Sequence, residues 1–413
     1  MSLTAPASST VTDASLRTRA DRALPAGPYG HMAVRGRVPA SFPQFYSRGE
    51  GARLWDADGA EYIDFMCAYG PMIAGYGNAV VDEAAQARQR DGDLLSGPTS
   101  HLVELAETLI DLMPHADWAM FAKNGTDATT TATVIARAAT GRRTLLKARK
   151  AYHGANPWFT PVPAGVTAAD RADIIEFDYN DLASLEAAAA RASGDVAAII
   201  LTPFRHDGFV DQDAATPEFA QGARALADRV GAALILDEVR TTYRMDLRGA
   251  WESYGVRPDL TAMSKALANG YPLSAVVGSD ALREGAGRIF VTGSFWMASS
   301  PMAAAMATLG VLQDGGFDAM TRAGRRLREG LQTQAEAHGF TMVQTGPVTM
   351  PFFRFENDED MSIVNRFTDA AVRRGVLLHP WHNMFVSAAH TDDDIADALA
   401  RTDEAFAELR STS

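Results

Sequence analysis

The sequence predicts an α/β protein: a large domain built on a mostly parallel sheet, followed by a smaller α+β domain. Short apolar runs such as Val196–Leu201 (VAAIIL) alternate with helix-like segments, the rhythm of strands joined by helical crossovers. The apolar run 232–236 ends in two adjacent carboxylates, Asp237 and Glu238, as a buried strand does when its carboxyl end meets a ligand crevice. After Pro301 the strand rhythm gives way to long helical runs and brief strands. At 413 residues the chain has room for one large and one smaller domain.

Residues 1–22 are rich in Ser, Thr and Ala, lack an apolar run, and read as a flexible arm and not a signal peptide. Residues 23–75 read as an N-terminal segment joining the small domain; within it WDADGAEYIDF, 55–65, sets an Asp-x-Asp-Gly turn between apolar residues and predicts a hairpin. The large domain is expected over 76–313. There, 127–139 contains no Gly or Pro and reads as a helix, stopped by Gly141 before the strand Thr144–Ala148. Thr216 and Pro217 stand as N-cap and first residue of a helix that Gly231 closes, ahead of the strand 232–236. Leu260–Met263 and Ser274–Gly278 are further strands, the first leading into Ser264 and Lys265. A helical run reaches Leu312. The small domain, 314–413, then has a helix over 317–338, strands near 340–343 and 351–355, and a last helix with Ile395, Leu399, Thr402 and Phe406 on one stripe.

Hydrophobic residues make up 47% of the chain and charged ones 22%, the proportions of an ordinary globular protein. A formal net charge of -13 argues against nucleic acid, whose phosphates call for clustered Lys and Arg, and leaves small molecules as partners. The single cysteine, Cys67, excludes an intrachain disulfide and fits a reducing compartment. No stretch has the apolar length to cross a bilayer. Together these features predict a cytoplasmic protein with no membrane partner, and no metal site is expected.

Four places are candidates for chemistry. Asp237 sits at a strand end, where a carboxylate either serves a ligand or caps a neighbouring helix. Lys265 follows the next strand within SKALANGYPLSAVVG, whose small residues leave room around an amine; alone it could be an exposed cap. AKNGTDAT, with Asn124, Gly125 and Thr126, is a small turn before a helix and offers free amides at the positive end of the dipole, although Thr126 or Asp127 could equally be a simple N-cap. AYHGANPW puts Tyr152 and His153 past a strand end, where a ring could cover a flat ligand or merely pack. One ligand satisfies all four: pyridoxal phosphate has a phosphate, a flat ring, a ring nitrogen that wants a carboxylate and an aldehyde that a lysine can capture.

With these motifs in order, the chain resembles the fold-type I pyridoxal-phosphate enzymes and, within them, the class III aminotransferase family, with the closest look to its glutamate-1-semialdehyde aminomutase branch. EGARLWDADGAEYIDF and YGPMIAGYGN are similar to the branch's N-terminal signature, NGTDAT to its phosphate turn, YHG to the ring-stacking loop, LDEV to the pyridine-nitrogen strand, YGVRPDLTAMSKALANGYPLSAVVG to the lysine segment and SAAHTDDDI to the C-terminal signature. The likeness spans about 24–409. It implies a seven-stranded sheet, Lys265 as Schiff-base lysine and proton carrier, and Asp237 as partner of the pyridine nitrogen. It also implies Gly125 and Thr126 on the phosphate, Tyr152 on one ring face and Val239 on the other. A homodimer is implied as well, with active sites at the interface and a hydroxyl from the neighbouring chain on the phosphate, matched here by Ser294 or, as the alternative, Thr292.

The departures lie on the substrate side. A serine usual in the loop that here reads GPYGHMAVRG is absent, as is a glutamate where this chain has HPWHNMF; a usual tryptophan is Tyr69, a usual Glu-Pro is Thr202-Pro203, and the residue after DEV is Arg240. These changes argue against glutamate-1-semialdehyde as the substrate. Arg240 suits a substrate carboxylate or the cofactor's phenolic oxygen, or else an ion pair with Glu238 or a nearby acid. Tyr29, His31, Tyr69, Trp158, Trp381 and His382 are the remaining pocket candidates. The expected activity is a ping-pong aminotransferase that moves an amino group from an amine, amino-alcohol or β-amino acid to a keto or aldehyde acceptor. A mutase of the semialdehyde type and a non-catalytic cofactor-binding protein are its rivals.

Overall fold

A computed structural model of the chain describes residues 11–206 and 208–411. Its central sheet has seven strands, in the spatial order Trp118–Ala122, Ser274–Gly278, Leu260–Met263, Ala233–Asp237, Val196–Leu201, Thr144–Ala148 and Ile174–Phe177. Neighbours run parallel except for Ser274–Gly278, which is antiparallel to both of its partners. Alternation along the strand fills both faces of the sheet. Leu234 and Leu236 join the core under the helix Pro217–Val230, while Ala233 and Ile235 join the one under the helix Gly125–Thr140. A side chain of Leu or Ile size, fully buried, contributes roughly 1.5–3 kcal/mol, so a continuous apolar run is what this position demands.

Helix ends follow the sequence closely. The Thr216 hydroxyl accepts from the Phe219 amide at 3.1 Å, Pro217 takes the first helical position, and Gly231 closes the helix at φ 64. Gly141 ends the helix Gly125–Thr140 in the same left-handed way. The strands Trp118–Ala122 and Ile174–Phe177, not anticipated from the sequence, sit at the two edges of the sheet.

A second sheet ties the two ends of the chain together. Tyr46–Glu50, Arg53–Asp56 and Glu61–Asp64 form an antiparallel set, and Val376–Leu377 adds in parallel beside the last of them. The expected turn is held by one oxygen of Asp56, which accepts the amides of Asp58 and Ala60, each at 2.9 Å. In the helix Asp392–Ser411, Ile395, Thr402 and Phe406 are fully buried, and the Phe406 ring lies 4.3 Å from that of Phe367.

The expected flexible arm over 1–22 needs correcting. Residues 1–10 of it lie outside the described residues, but Asp13–Ala23 is a helix with a reciprocal Thr12–Ser15 cap. Its Asp13 carboxylate is buried and accepts the amides of Gln44 and Phe45 at 2.9 and 2.8 Å, which docks the helix on the body of the protein. Among the described residues no helix is long and apolar enough to cross a membrane.

Candidate active site

The site lies at the carboxyl ends of the central strands. Asp237 closes the strand Ala233–Asp237, is 5% exposed, and accepts Nδ1–H of His153 at 2.8 Å on one oxygen and the Val239 amide at 3.0 Å on the other. His153 is itself buried, and its carbonyl is held by the Thr129 hydroxyl at 2.6 Å. That pairing fixes the carboxylate's direction from behind. Asn124 caps the helix Gly125–Thr140 by accepting the Asp127 amide at 3.0 Å, which leaves the amides of Gly125 and Thr126 at the helix start for an anion. Gly125 must be glycine here: a Cβ would stand 2.5 Å from Cγ1 of Val239. The turn and Val239 therefore press together, and Tyr152, half exposed, is bonded to Thr126.

Lys265 begins a short 3-10 turn after Leu260–Met263, itself left-handed at φ 50. Its ammonium is pushed down to about 7, first by burial and then by the Arg240 guanidinium, while Asp237 pulls in the other direction. An amine that sheds its proton near neutrality can act as nucleophile and as proton carrier. Burial, and next the Asp237 charge, raises the Tyr152 phenol. Glu238, by contrast, turns away. Its carboxylate accepts from Thr241 and from the Ala250 amide, and burial raises its pKa to about 7, so it caps a loop and does not pair with Arg240.

Above Lys265 the wall is aromatic and imidazole. The Tyr69 ring meets His31 at 4.7 Å, His382 at 5.3 Å and His379 at 6.2 Å. Desolvation, then Lys265 and Arg240, lowers His31 to about 4; burial, then Arg240, holds His206 and His382 well below the usual histidine range. These rings are neutral hydrogen-bonding groups at neutral pH. Arg240 donates to Oδ1 of Asn383 at 2.5 Å and to the His206 carbonyl at 3.4 Å. Trp381 donates its indole N–H to the Arg37 carbonyl at 2.6 Å and stacks on Phe209 at 4.8 Å.

Not every candidate reaches this cleft. Trp158 packs in the core cluster under the helix Gly125–Thr140, with the Arg137 guanidinium 5.0 Å from its ring centre, and Tyr29 is 75% exposed. Thr292 and Ser294 lie on an exposed loop whose Val291 and Trp296 line a small cavity together with Met120, Phe121, Ala122 and Thr131. Sequence reasoning missed His206, His379 and Asn383. The last two flank the Trp381 and His382 that it named, but nothing in residue type marks an amide as the rest of an arginine.

These residues fit pyridoxal phosphate. The free amides beside Gly125 suit its phosphate, the side chains of Val239 and Tyr152 the faces of a flat ring, the buried Asp237 a ring nitrogen, and the Lys265 amine its aldehyde.

Comparison with known proteins agrees. The sequence profile of the family described as Aminotransferase class-III matches residues 35–406. The chain is 48% identical to the aminopentol aminotransferase of Sphingopyxis macrogoltabida over 95% of this chain and 93% of that protein. It is 35% identical to the glutamate-1-semialdehyde 2,1-aminomutase of Gemmatimonas aurantiaca, covering 88% and 89% of the two. The structure of the FumI protein of Sphingopyxis sp. MTA144 in its PLP internal aldimine form superposes with a TM-score of 0.95 at 47% identity, over 96% of each chain. The chain is a member of the class III aminotransferase family, a pyridoxal-phosphate enzyme of fold type I.

Proposed function

We propose that this aminotransferase takes its amino group from an amine, an amino-alcohol or a β-amino acid and passes it to a keto or aldehyde acceptor in two half-reactions. The observation that carries the reading is the juxtaposition of Lys265 and the Asp237–His153 pair beneath a wall of neutral imidazoles and one guanidinium. Pyridoxal phosphate, when bound, supplies the aldehyde that captures the amine and a protonated ring that accepts electrons. Lys265 takes the proton from the donor's amine-bearing carbon. Asp237, steadied by His153, keeps the proton on the ring nitrogen. Gly125 and Thr126 bind the phosphate; Val239 and Tyr152 hold the ring flat, and Tyr69, His31 and His382 receive the donor's substituents. Hydroxyls suit that wall, because a neutral imidazole both donates and accepts. The relative named for aminopentol supports an amino-alcohol. Arg240 would take an acceptor's carboxylate.

The enzyme would work as a homodimer. Leu94, Leu95, Phe290, Phe295 and Met297 are exposed, and the Asp93 carbonyl and carboxylate bind Ser299 and Ser300, so the two loops form one apolar patch. Thr292 and Ser294 lie on the same exposed loop and would contribute a hydroxyl to a neighbouring subunit's phosphate turn. Light scattering tests the dimer. The chemistry is tested by mixing the cofactor-loaded protein with single amines and no acceptor. Bleaching of the visible band with release of a carbonyl product is expected. A band that no amine bleaches would refute the donor half-reaction.

A further inference from the structure

Among the described residues, Arg244 carries a charge that no carboxylate pairs with, although it is 1% exposed and its Nε has no partner. Burying an unpaired guanidinium is expensive. What it touches explains why it stays. Nη2 donates to the Gly70 carbonyl at 2.8 Å and Nη1 to the Val386 carbonyl at 2.7 Å, while the Phe385 ring lies 5.0 Å from its central carbon. The Thr349 hydroxyl donates to Arg244's own carbonyl at 2.6 Å.

Gly70 ends an unusual stretch. Cys67, Ala68, Tyr69 and Gly70 have φ of 46, 53, 63 and 113, four consecutive left-handed residues of which three carry a Cβ. Each such non-glycine residue costs on the order of 1–3 kcal/mol and persists only where its surroundings over-determine it. At the front of the run, the buried Asp64 carboxylate accepts the amides of Met66 and Cys67 at 2.7 and 2.9 Å and the Tyr76 hydroxyl at 2.7 Å. At the back, the side-chain restraint is Arg244. The run presents Tyr69 to His31 and His382, and it brings Gly70 so near Lys265 that a Cβ there would stand 3.4 Å from Cδ of the lysine and 3.0 Å from the Phe385 ring. The segment at the other end of the fork, 383–386, carries the Asn383 that holds Arg240.

We propose that Arg244 is a positioning residue for the substrate half of the cleft: its forked guanidinium locks the left-handed 67–70 turn to the 383–386 segment and so sets where Tyr69 and Arg240 stand over Lys265. The inference rests on the cleft's assignment as the amine site. The planar fork is required because two carbonyls on separate segments must be met at once, which a lysine's single ammonium on a flexible stem does poorly.

The test compares Arg244→Lys and Arg244→Met holoenzymes with two amines, isopropylamine, whose substituents are single methyl groups, and phenylalaninol, whose benzyl and hydroxymethyl groups would need the wall. Turnover of both by the wild type is read first, and its failure would strike the assignment of the site, not the clamp. In Arg244→Lys the KM for phenylalaninol should rise by about tenfold or more, as misplacement by a fraction of an ångström does, while kcat/KM for isopropylamine falls far less. Arg244→Met should show the same selectivity, enlarged. Equal losses on both amines, or none on either, in a variant whose melting temperature shows it folded would overturn the proposal. If Arg244→Met does not fold, the Arg244→Lys comparison decides alone.

Discussion

The two halves of the cleft are built by different means. The cofactor half is assembled from ends of regular elements: Asp237 from a strand terminus, Gly125 and Thr126 from a capped helix start, Lys265 from the turn after a strand. Each sits on a backbone element that one short stretch of sequence marks, and His153 then fixes the direction of Asp237. The substrate half is assembled from loops far apart in the chain. His31, Tyr69, His206, Arg240 and His382 come from five segments, joined by contacts such as Arg240 to Asn383, Trp381 to Arg37 and Arg244 to Gly70. The common chemistry thus rests on secondary structure, and the choice of substrate rests on side chains that bridge loops.

That difference breaks most visibly at Lys265. Lys265→Ala should fold and still hold cofactor, yet lose turnover by on the order of 10⁴-fold from the missing proton transfer alone. Single-turnover absorbance with an amine measures this, and ordinary turnover in the variant would remove the lysine from the mechanism. Asp237→Asn comes next. The amide keeps a hydrogen bond acceptor for His153 but not the charge, so the amine half-reaction should slow by about 10²–10³-fold, the effect of removing one preorganised electrostatic group. An unchanged rate would mean that another residue serves the ring nitrogen.

A third effect is smaller and needs no cofactor. Burial, and next the Arg240 charge, pushes the Lys265 ammonium down to about 7 in the folded chain, from an ordinary lysine value of about 10.5. The unfolded chain therefore binds more protons between those values, and wild-type apoprotein should gain stability as pH rises through that window. Below about 7 both states carry the charge and the burial penalty is at its full size. Lys265→Met apoprotein should accordingly be more stable than wild type at pH 6, with the advantage shrinking steadily toward pH 10. Denaturant midpoints across the range would show it, and a difference independent of pH would mean that the amine is better solvated than its surroundings imply.

The same division explains what could be read in the sequence. Thr216–Pro217 with Gly231, and the apolar run before Asp237, are local signals, and the structure follows them to within a residue. The residues proposed to hold the cofactor were legible for the same reason: a glycine-bearing helix start or an acid at a strand end is a pattern within one short stretch. The docked helix Asp13–Ala23 escaped because what holds it is the distant pair of amides at Gln44 and Phe45. Asn383, His206 and Arg244 escaped likewise. An amide, an imidazole and a guanidinium say nothing in sequence about which remote carbonyl they will meet.

Trp158 sharpens the comparison with the least expected effect. From the sequence it and Tyr69 are equal candidates for the pocket, both aromatic and both in loops. In the folded chain Tyr69 stands among His31, His379 and His382, whereas Trp158 lies edge-on to Phe159, beneath the Arg137 guanidinium and against the edge of the core cluster under the helix Gly125–Thr140. Trp158→Ala should therefore lower stability by about 1–2 kcal/mol through the lost cation–π contact and part-buried packing, with the KM for any amine changed by less than about twofold. Tyr69→Ala should do the reverse, raising KM for wall-reaching amines by about tenfold, the loss expected of a ring that places a substrate group. A rise in KM on removing Trp158 would mean that the outer aromatic layer also governs the cleft, and the boundary between the two halves would have to be drawn one layer further out.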